Sequence, residues 1–240
     1  MQTQPSISAR RTDSVDLDRV PGWGRKLVEV AHNFSRVPHR IGHLNARGPE
    51  DGPPALVIPG FLTTDRTTLA LRRGLAADGW RVHGWGRGRN EGAYAEVLDD
   101  MDARLDAIRD GEKALLVGWS LGGVIARELA RAYPEKVRAV VTLASPFSGD
   151  RRANNVWKYY ERIAGHPVDD PPVPQSPDKP PVPTLALYAM RDGLLAQGCQ
   201  RGEPHQSDAS IGLPCGHFRI GMSRGMIARV VEEIDTFVER

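Results

Sequence analysis

Six consecutive residues, Gly118-Trp119-Ser120-Leu121-Gly122-Gly123, hold the chemistry most easily read from this chain. They follow the apolar run Ala114–Val117 and open a helical pattern that runs to Tyr133 and stops at Pro134. A serine between glycines, at the junction of a buried strand and a helix, fits a sharp strained turn that lifts a hydroxyl clear of a sheet. The same turn sets that hydroxyl at a helix N-terminus, where backbone N–H groups face a developing oxyanion. The chemistry implied is nucleophilic attack by Ser120.

A serine hydroxyl is a weak nucleophile without a base, and the base needs an acid to orient it. When the chain order is nucleophile, acid, base, the acid stands just past a later strand. Asp192 has that position, in the turn Arg191-Asp192-Gly193 after the strand pattern Leu185–Met190. Asp150, Asp169, Asp170, Asp178 and Asp208 fall in loops. Three histidines follow Ser120. His166 lies in a proline-rich stretch and His205 in a polar loop, while His217 stands between a last strand near Ile211–Pro214 and the closing helix. His217 is therefore the expected base and His205 the runner-up. For the oxyanion, the expected donors are the N–H of Leu121 and that of Phe61, in the turn Pro59-Gly60-Phe61-Leu62 after the first strand. Leu62 is the alternative donor, and Gly60 permits the close approach. Leu62, Trp119 and Trp157 are the candidate substrate contacts; for Trp119, packing beneath the turn is an equal reading.

The elements that must position these groups alternate strand and helix. Strand patterns cover Ala55–Ile58, Trp80–Trp85, Ala114–Val117, Val137–Leu143, Leu185–Met190 and Ile211–Pro214, and helical spacing covers Thr67–Asp78, Tyr94–Ile108, Leu121–Tyr133 and Met222–Phe237. Continuous apolar runs suit strands buried on both faces, so the fold class is α/β, a mostly parallel sheet with helices on both faces. Residues 1–50 read as an N-terminal arm with a peripheral amphipathic helix over 23–37, carrying Leu27, Val30, Ala31 and Phe34. Residues 51–149 and 184–240 read as the core. Residues 150–183 read as a lid or cap insertion: eight prolines lie between His166 and Pro183, and no regular element runs through that density.

At these residues the sequence resembles the α/β-hydrolase superfamily, and among its members the bacterial esterase- and lipase-like ones with an early Pro-Gly-Phe turn and a Gly-Trp-Ser-Leu-Gly-Gly elbow. The likeness extends over about residues 53–240 and includes Val82–Asn90 and Thr142–Phe147. Two features depart from the pattern: Pro59 stands where relatives often carry histidine, and Arg219 puts a charge beside His217. The resemblance implies Ser120, Asp192 and His217 as a triad cleaving a carboxylic ester through an acyl-enzyme, with no cofactor. Acyl transfer and thioester cleavage use the same groups and stay open, as does a fold that has lost turnover. Serine at the elbow speaks against epoxide hydrolase or dehalogenase chemistry, which uses aspartate there.

Composition narrows the partners. Of 240 residues, 32 are Lys or Arg and 30 Asp or Glu, a net charge of +2, so nothing calls for nucleic acid. Gly84, Gly86, Gly88 and Gly92 lack dinucleotide spacing, and Arg87 and Arg89 read as solvated loop cations with Asn90 making a turn. No His/Cys cluster has metal-ligand spacing, and no apolar run reaches the ~18–20 residues of a membrane span. The expected partner is a small ester, with an apolar acyl group if Trp157, Tyr159 and Tyr160 shield it. Without a secretory pattern the expected location is cytoplasmic, with Cys199 and Cys215 as reduced thiols. Oligomeric state and substrate identity do not follow from the sequence.

Overall fold

A computed structural model of the chain describes residues 17–35 and 46–238. Most of the expected N-terminal arm, and the last residues of the helix expected over 23–37, lie outside the described residues.

Six strands, β1 (Pro54–Ile58), β2 (Arg81–Gly84), β3 (Ala114–Trp119), β4 (Val137–Leu143), β5 (Thr184–Ala189) and β6 (Ala209–Leu213), form one sheet in the order β2-β1-β3-β4-β5-β6. Every neighbouring pair is parallel. The helices are α1 (Trp23–Ser35), α2 (Leu69–Ala77), α3 (Val97–Arg109), α4 (Leu121–Ala132), α5 (Trp157–Ala164), α6 (Gln197–Arg201), α7 (Arg219–Met222) and α8 (Arg224–Phe237). The chain steps from β2 over β1 to β3, so the strand order reverses beside β1. In open parallel sheets, sites form at the carboxyl ends of strands flanking such a reversal.

Alternation along the strands divides the core in two. Ala55, Val57, Leu115 and Val117 pack against Leu71 and Leu75 of α2 and Ile227, Val230 and Ile234 of α8. Leu56, Ile58 and Leu116 point the other way, onto Val97, Met101 and Leu105 of α3 and Ile125 and Leu129 of α4. Both strand faces are covered, which is why β1 and β3 read as unbroken apolar runs.

The β4–β5 connection holds α5 and the proline-rich stretch. It lies against α4 and explains two charged residues in the interior. Arg127 donates through one terminal nitrogen to the carbonyls of Pro177, Asp178 and Gln206, each at 2.9 Å, and Glu128 accepts the Ser176 N–H at 3.0 Å. Proline cannot donate, so carbonyls in this stretch need donors from elsewhere, and Arg127 Nη2 supplies one. Cys199 and Cys215 are buried free thiols. Among the described residues no helix is long and apolar enough to cross a membrane, and no group of three or more His, Cys, Asp or Glu is placed to hold a metal ion.

Candidate active site

Ser120 occupies the turn between β3 and α4 with φ 54° and ψ −124°. A non-glycine residue held there costs of order 1–3 kcal/mol, so the surroundings must enforce it. The Ser120 N–H donates to Leu143 O at 2.8 Å, which ties the turn to β4. Gly122 lets α4 start close to β1: a methyl group there would lie 2.2 Å from Ile58 O.

The β1–α2 loop faces the serine. A methyl on Gly60 would approach Ser120 Cβ to 3.1 Å. The amides of Phe61 and Leu121, the two expected oxyanion donors, have no acceptor among the described residues. Leu62, the alternative donor, has φ 59° and gives its N–H to Asn90 O at 2.6 Å, so it is already engaged. Asn90 is wholly buried and grips this loop at three points: its side-chain amide donates to Pro59 O at 2.8 Å, its N–H to Thr63 O at 2.9 Å, and its carbonyl accepts Leu62. It is a brace for the β1–α2 loop rather than a surface turn. Nearby, Arg87 pairs with Asp100.

Asp192 and His217 come from the connections after β5 and β6 and meet with His217 Nδ1 2.7 Å from Asp192 Oδ2. Both are buried. Asp192 Oδ1 accepts the N–H groups of Leu194 at 2.7 Å and Leu195 at 2.9 Å, and Oδ2 also accepts Gln200 Nε2 at 3.0 Å. These donors fix the carboxylate's rotation. His217 is fixed in turn: its carbonyl accepts Trp119 Nε1 at 3.2 Å and its N–H donates to Glu29 Oε1 at 2.7 Å. Trp119 neighbours Ser120 in sequence, so this bond holds the His217 loop against the serine turn. Ser120 Oγ and His217 Nε2 are not hydrogen-bonded to one another; such contacts commonly tighten only with substrate bound. Burial pushes the imidazole pKa down, but the Asp192 charge and hydrogen bond, with Glu29 behind, outweigh it and leave the pKa above its ordinary value.

A pocket opens onto Ser120. Phe61, Leu121, Trp157, Tyr160 and Leu195 contribute to its wall, and Arg151, Asn154 and Gln175 give it a polar fringe. Trp157 of the expected substrate contacts borders it; Leu62 and Trp119 do not. Trp119 lies on the other sheet face, packed with Ile220 and Phe218 and serving the His217 loop. The Phe61 ring packs against that of Tyr160 of α5, centroids 5.1 Å apart and planes tilted by 59°, which joins the β1–α2 loop to the β4–β5 connection. His205 is exposed in a short helical turn, Pro204–Gln206, and takes no part in this cluster.

A model of the alpha/beta hydrolase fold family matches residues 44–175, more than half of the 240. The chain belongs to the alpha/beta hydrolase fold family. Solved structures with a similar fold include a thioesterase domain from the curacin biosynthetic pathway, with a TM-score of 0.57, 15% identity and coverage of 77% of this chain and 92% of that one. A putative aryl esterase from Burkholderia cenocepacia also has a TM-score of 0.57, at 16% identity, covering 80% of this hydrolase-fold chain and 93% of its own. In sequence, 60 residues are 50% identical to the pimeloyl-[acyl-carrier protein] methyl ester esterase of Cronobacter sakazakii. That match takes in 25% of this chain, and the chain spans only 23% of that relative's length.

Three groups of this hydrolase-fold site were not foreseen from sequence: Glu29, Asn90 and Gln200. Each is a polar residue in a segment that reads as surface. The local signal for Asn90 was its place in a glycine-rich loop; Gln200 and Glu29 carried none.

Proposed function

We propose that this protein is a serine hydrolase that cleaves a carboxylic ester through an acyl-enzyme on Ser120. The observation that carries the reading is a strained serine faced by the β1–α2 loop, with a buried His217–Asp192 pair tied to the residue beside it. The hydroxyl borders a pocket, two acceptor-free amides flank the turn, and a buried His217–Asp192 pair is bonded to the adjacent tryptophan. The esterase relatives favour an ester as substrate.

In this mechanism His217 Nε2 takes the Ser120 proton as Oγ attacks the ester carbonyl. Asp192 holds the imidazole in the Nδ1–H tautomer and stabilises the imidazolium. The Phe61 and Leu121 amides receive the oxyanion, each worth roughly 3 kcal/mol of barrier. The imidazolium then protonates the departing alkoxide. Water, deprotonated by the same imidazole, releases the acid and restores the serine. The apolar walls at Trp157 and Leu195 suit an apolar acyl group.

A chain-length series of p-nitrophenyl esters, run with the natural protein and Ser120→Ala, tests the reading. Turnover that falls by several orders of magnitude in a folded Ser120→Ala protein is the expected result. Undiminished turnover overturns it. Adding competing alcohol and amine acceptors, and paired thioesters, reports whether water is the true acceptor and oxygen the true leaving atom.

A further inference from the structure

We propose that Glu29 is a positioning residue for His217: its carboxylate, carried by α1 from outside the sheet, fixes the backbone of the base loop and adds a second negative charge behind the imidazole. This rests on the reading of His217 as the base.

Glu29 is 188 residues away from His217 in sequence and is 5% exposed. Its Oε1 accepts the His217 N–H at 2.7 Å and its Oε2 accepts the Phe218 N–H at 3.4 Å. Both oxygens act as acceptors, which is how an ionised carboxylate bonds. The seat is close. A methyl on Gly216 would fall 1.8 Å from Glu29 Oε1, and one on Gly193, beside Asp192, would fall 2.6 Å from Arg25 O and 2.7 Å from Glu29 Cγ. The described residues just before α1 are tied down around it by Asn155 Nδ2 to Pro21 O and Gly198 N–H to Leu17 O, each at 2.7 Å. Thus one helix rests on both the acid turn and the base loop.

A neutral acceptor would satisfy two amides at lower cost than a buried charge. Here the carboxylate also lies near Asp192, and burial first, then that repulsion, raises its pKa. The compensating partner is the imidazole, whose charged form Glu29 favours. The neighbouring thiol of Cys215 is pushed up to about 12 by burial, against the opposing charge of Arg219 of α7. A charge kept against that penalty serves the imidazolium formed when Ser120 attacks.

The test compares Glu29→Gln and Glu29→Asp with the natural protein on p-nitrophenyl butyrate, recording kcat, KM, Tm and the pH dependence of kcat/KM. Glu29→Gln keeps the shape and one acceptor but removes the charge. The expected result is a fall in kcat of about tenfold, in line with losing a charged hydrogen-bond partner, with KM nearly unchanged. Its acid limb should move to lower pH, because the imidazolium loses a stabilising charge. Glu29→Asp keeps the charge on a shorter arm, so kcat falls while the acid limb stays in place. Natural kcat and an unmoved acid limb in Glu29→Gln overturn the proposal, even if Tm falls. If Glu29→Gln does not fold, an acid limb in Glu29→Asp displaced to that expected for an uncharged residue overturns it. Ser120→Ala is run alongside: turnover in that variant defeats the reading of the site itself, whatever the Glu29 variants do.

Discussion

Asp192→Asn replaces one atom and tests the orientation of the base. Asp192 uses its two oxygens for different work: Oδ1 takes the Leu194 and Leu195 amides, and Oδ2 takes His217 Nδ1 and Gln200 Nε2. Asparagine has only one oxygen. If that oxygen stays with the two backbone amides, its NH2 group faces His217 Nδ1 and the Gln200 amide. The imidazole must then accept at Nδ1 and carry its proton on Nε2, where it cannot take one from Ser120. If asparagine flips, its NH2 group confronts two buried N–H donors. Each unsatisfied group costs about 1–3 kcal/mol, so the two together outweigh the histidine bond recovered, since Gln200 Nε2 keeps the Leu195 and Ala196 carbonyls in either orientation. The first orientation wins. In proteins with this dependence the wrong tautomer lowers kcat by about 10⁴, equivalent to roughly 5.5 kcal/mol of barrier. The assay is kcat on a p-nitrophenyl ester, with Tm recorded to show that the fold is kept. A loss under tenfold in a folded Asp192→Asn protein would refute the reasoning.

Four further outcomes follow from the same geometry. The acid limb of kcat/KM should have its midpoint above the ordinary imidazole value of 6.5, since the His217 pKa is raised and the base must be neutral; a midpoint below 6.5 contradicts this. The same shift makes His217 a stabilising group that is fully effective below pH 6.5 and fades as pH rises through the folded-state pKa, readable as a falling Tm. Asn90→Ala should strand the Pro59 carbonyl and loosen the β1–α2 loop, lowering stability by about 1–3 kcal/mol and, on the proposed mechanism, kcat more than it raises KM. Gly122→Ala forces a methyl against Ile58 O, and should cost about 1–3 kcal/mol or more in denaturant unfolding and abolish turnover; a stable active variant would show that the turn is not braced as described.

The elements that local pattern reveals are those buried on both faces. β1 and β3 are continuous apolar runs between helices, and their ends fall within two residues of the sequence expectation. β2 is shorter than expected because Trp80 and Trp85, whose apolar character extended the pattern, flank it and pack into opposite core halves. Ser120 and Asp192 were legible because strand ends project them. What sequence could not show are contacts made across the chain. Glu29 looks like the wet face of an amphipathic helix until the His217 loop is laid on it. Asn90 looks like a turn former until the Pro59 carbonyl needs a donor. Gln200 sits on a five-residue helix too short to leave a periodic trace. Trp119 sits beside the nucleophile in sequence, yet strand alternation sends its ring to the opposite face.

The central claim is that the Ser120 oxygen is the atom that bonds to the acyl group. Peptide mapping by mass spectrometry after reaction with a fluorophosphonate reads that atom's neighbourhood directly. The account predicts one adduct, on the peptide containing Ser120, formed with loss of esterase activity and absent from Ser120→Ala. An adduct on any other residue that tracks the loss of activity, or full activity with Ser120 modified, would contradict it.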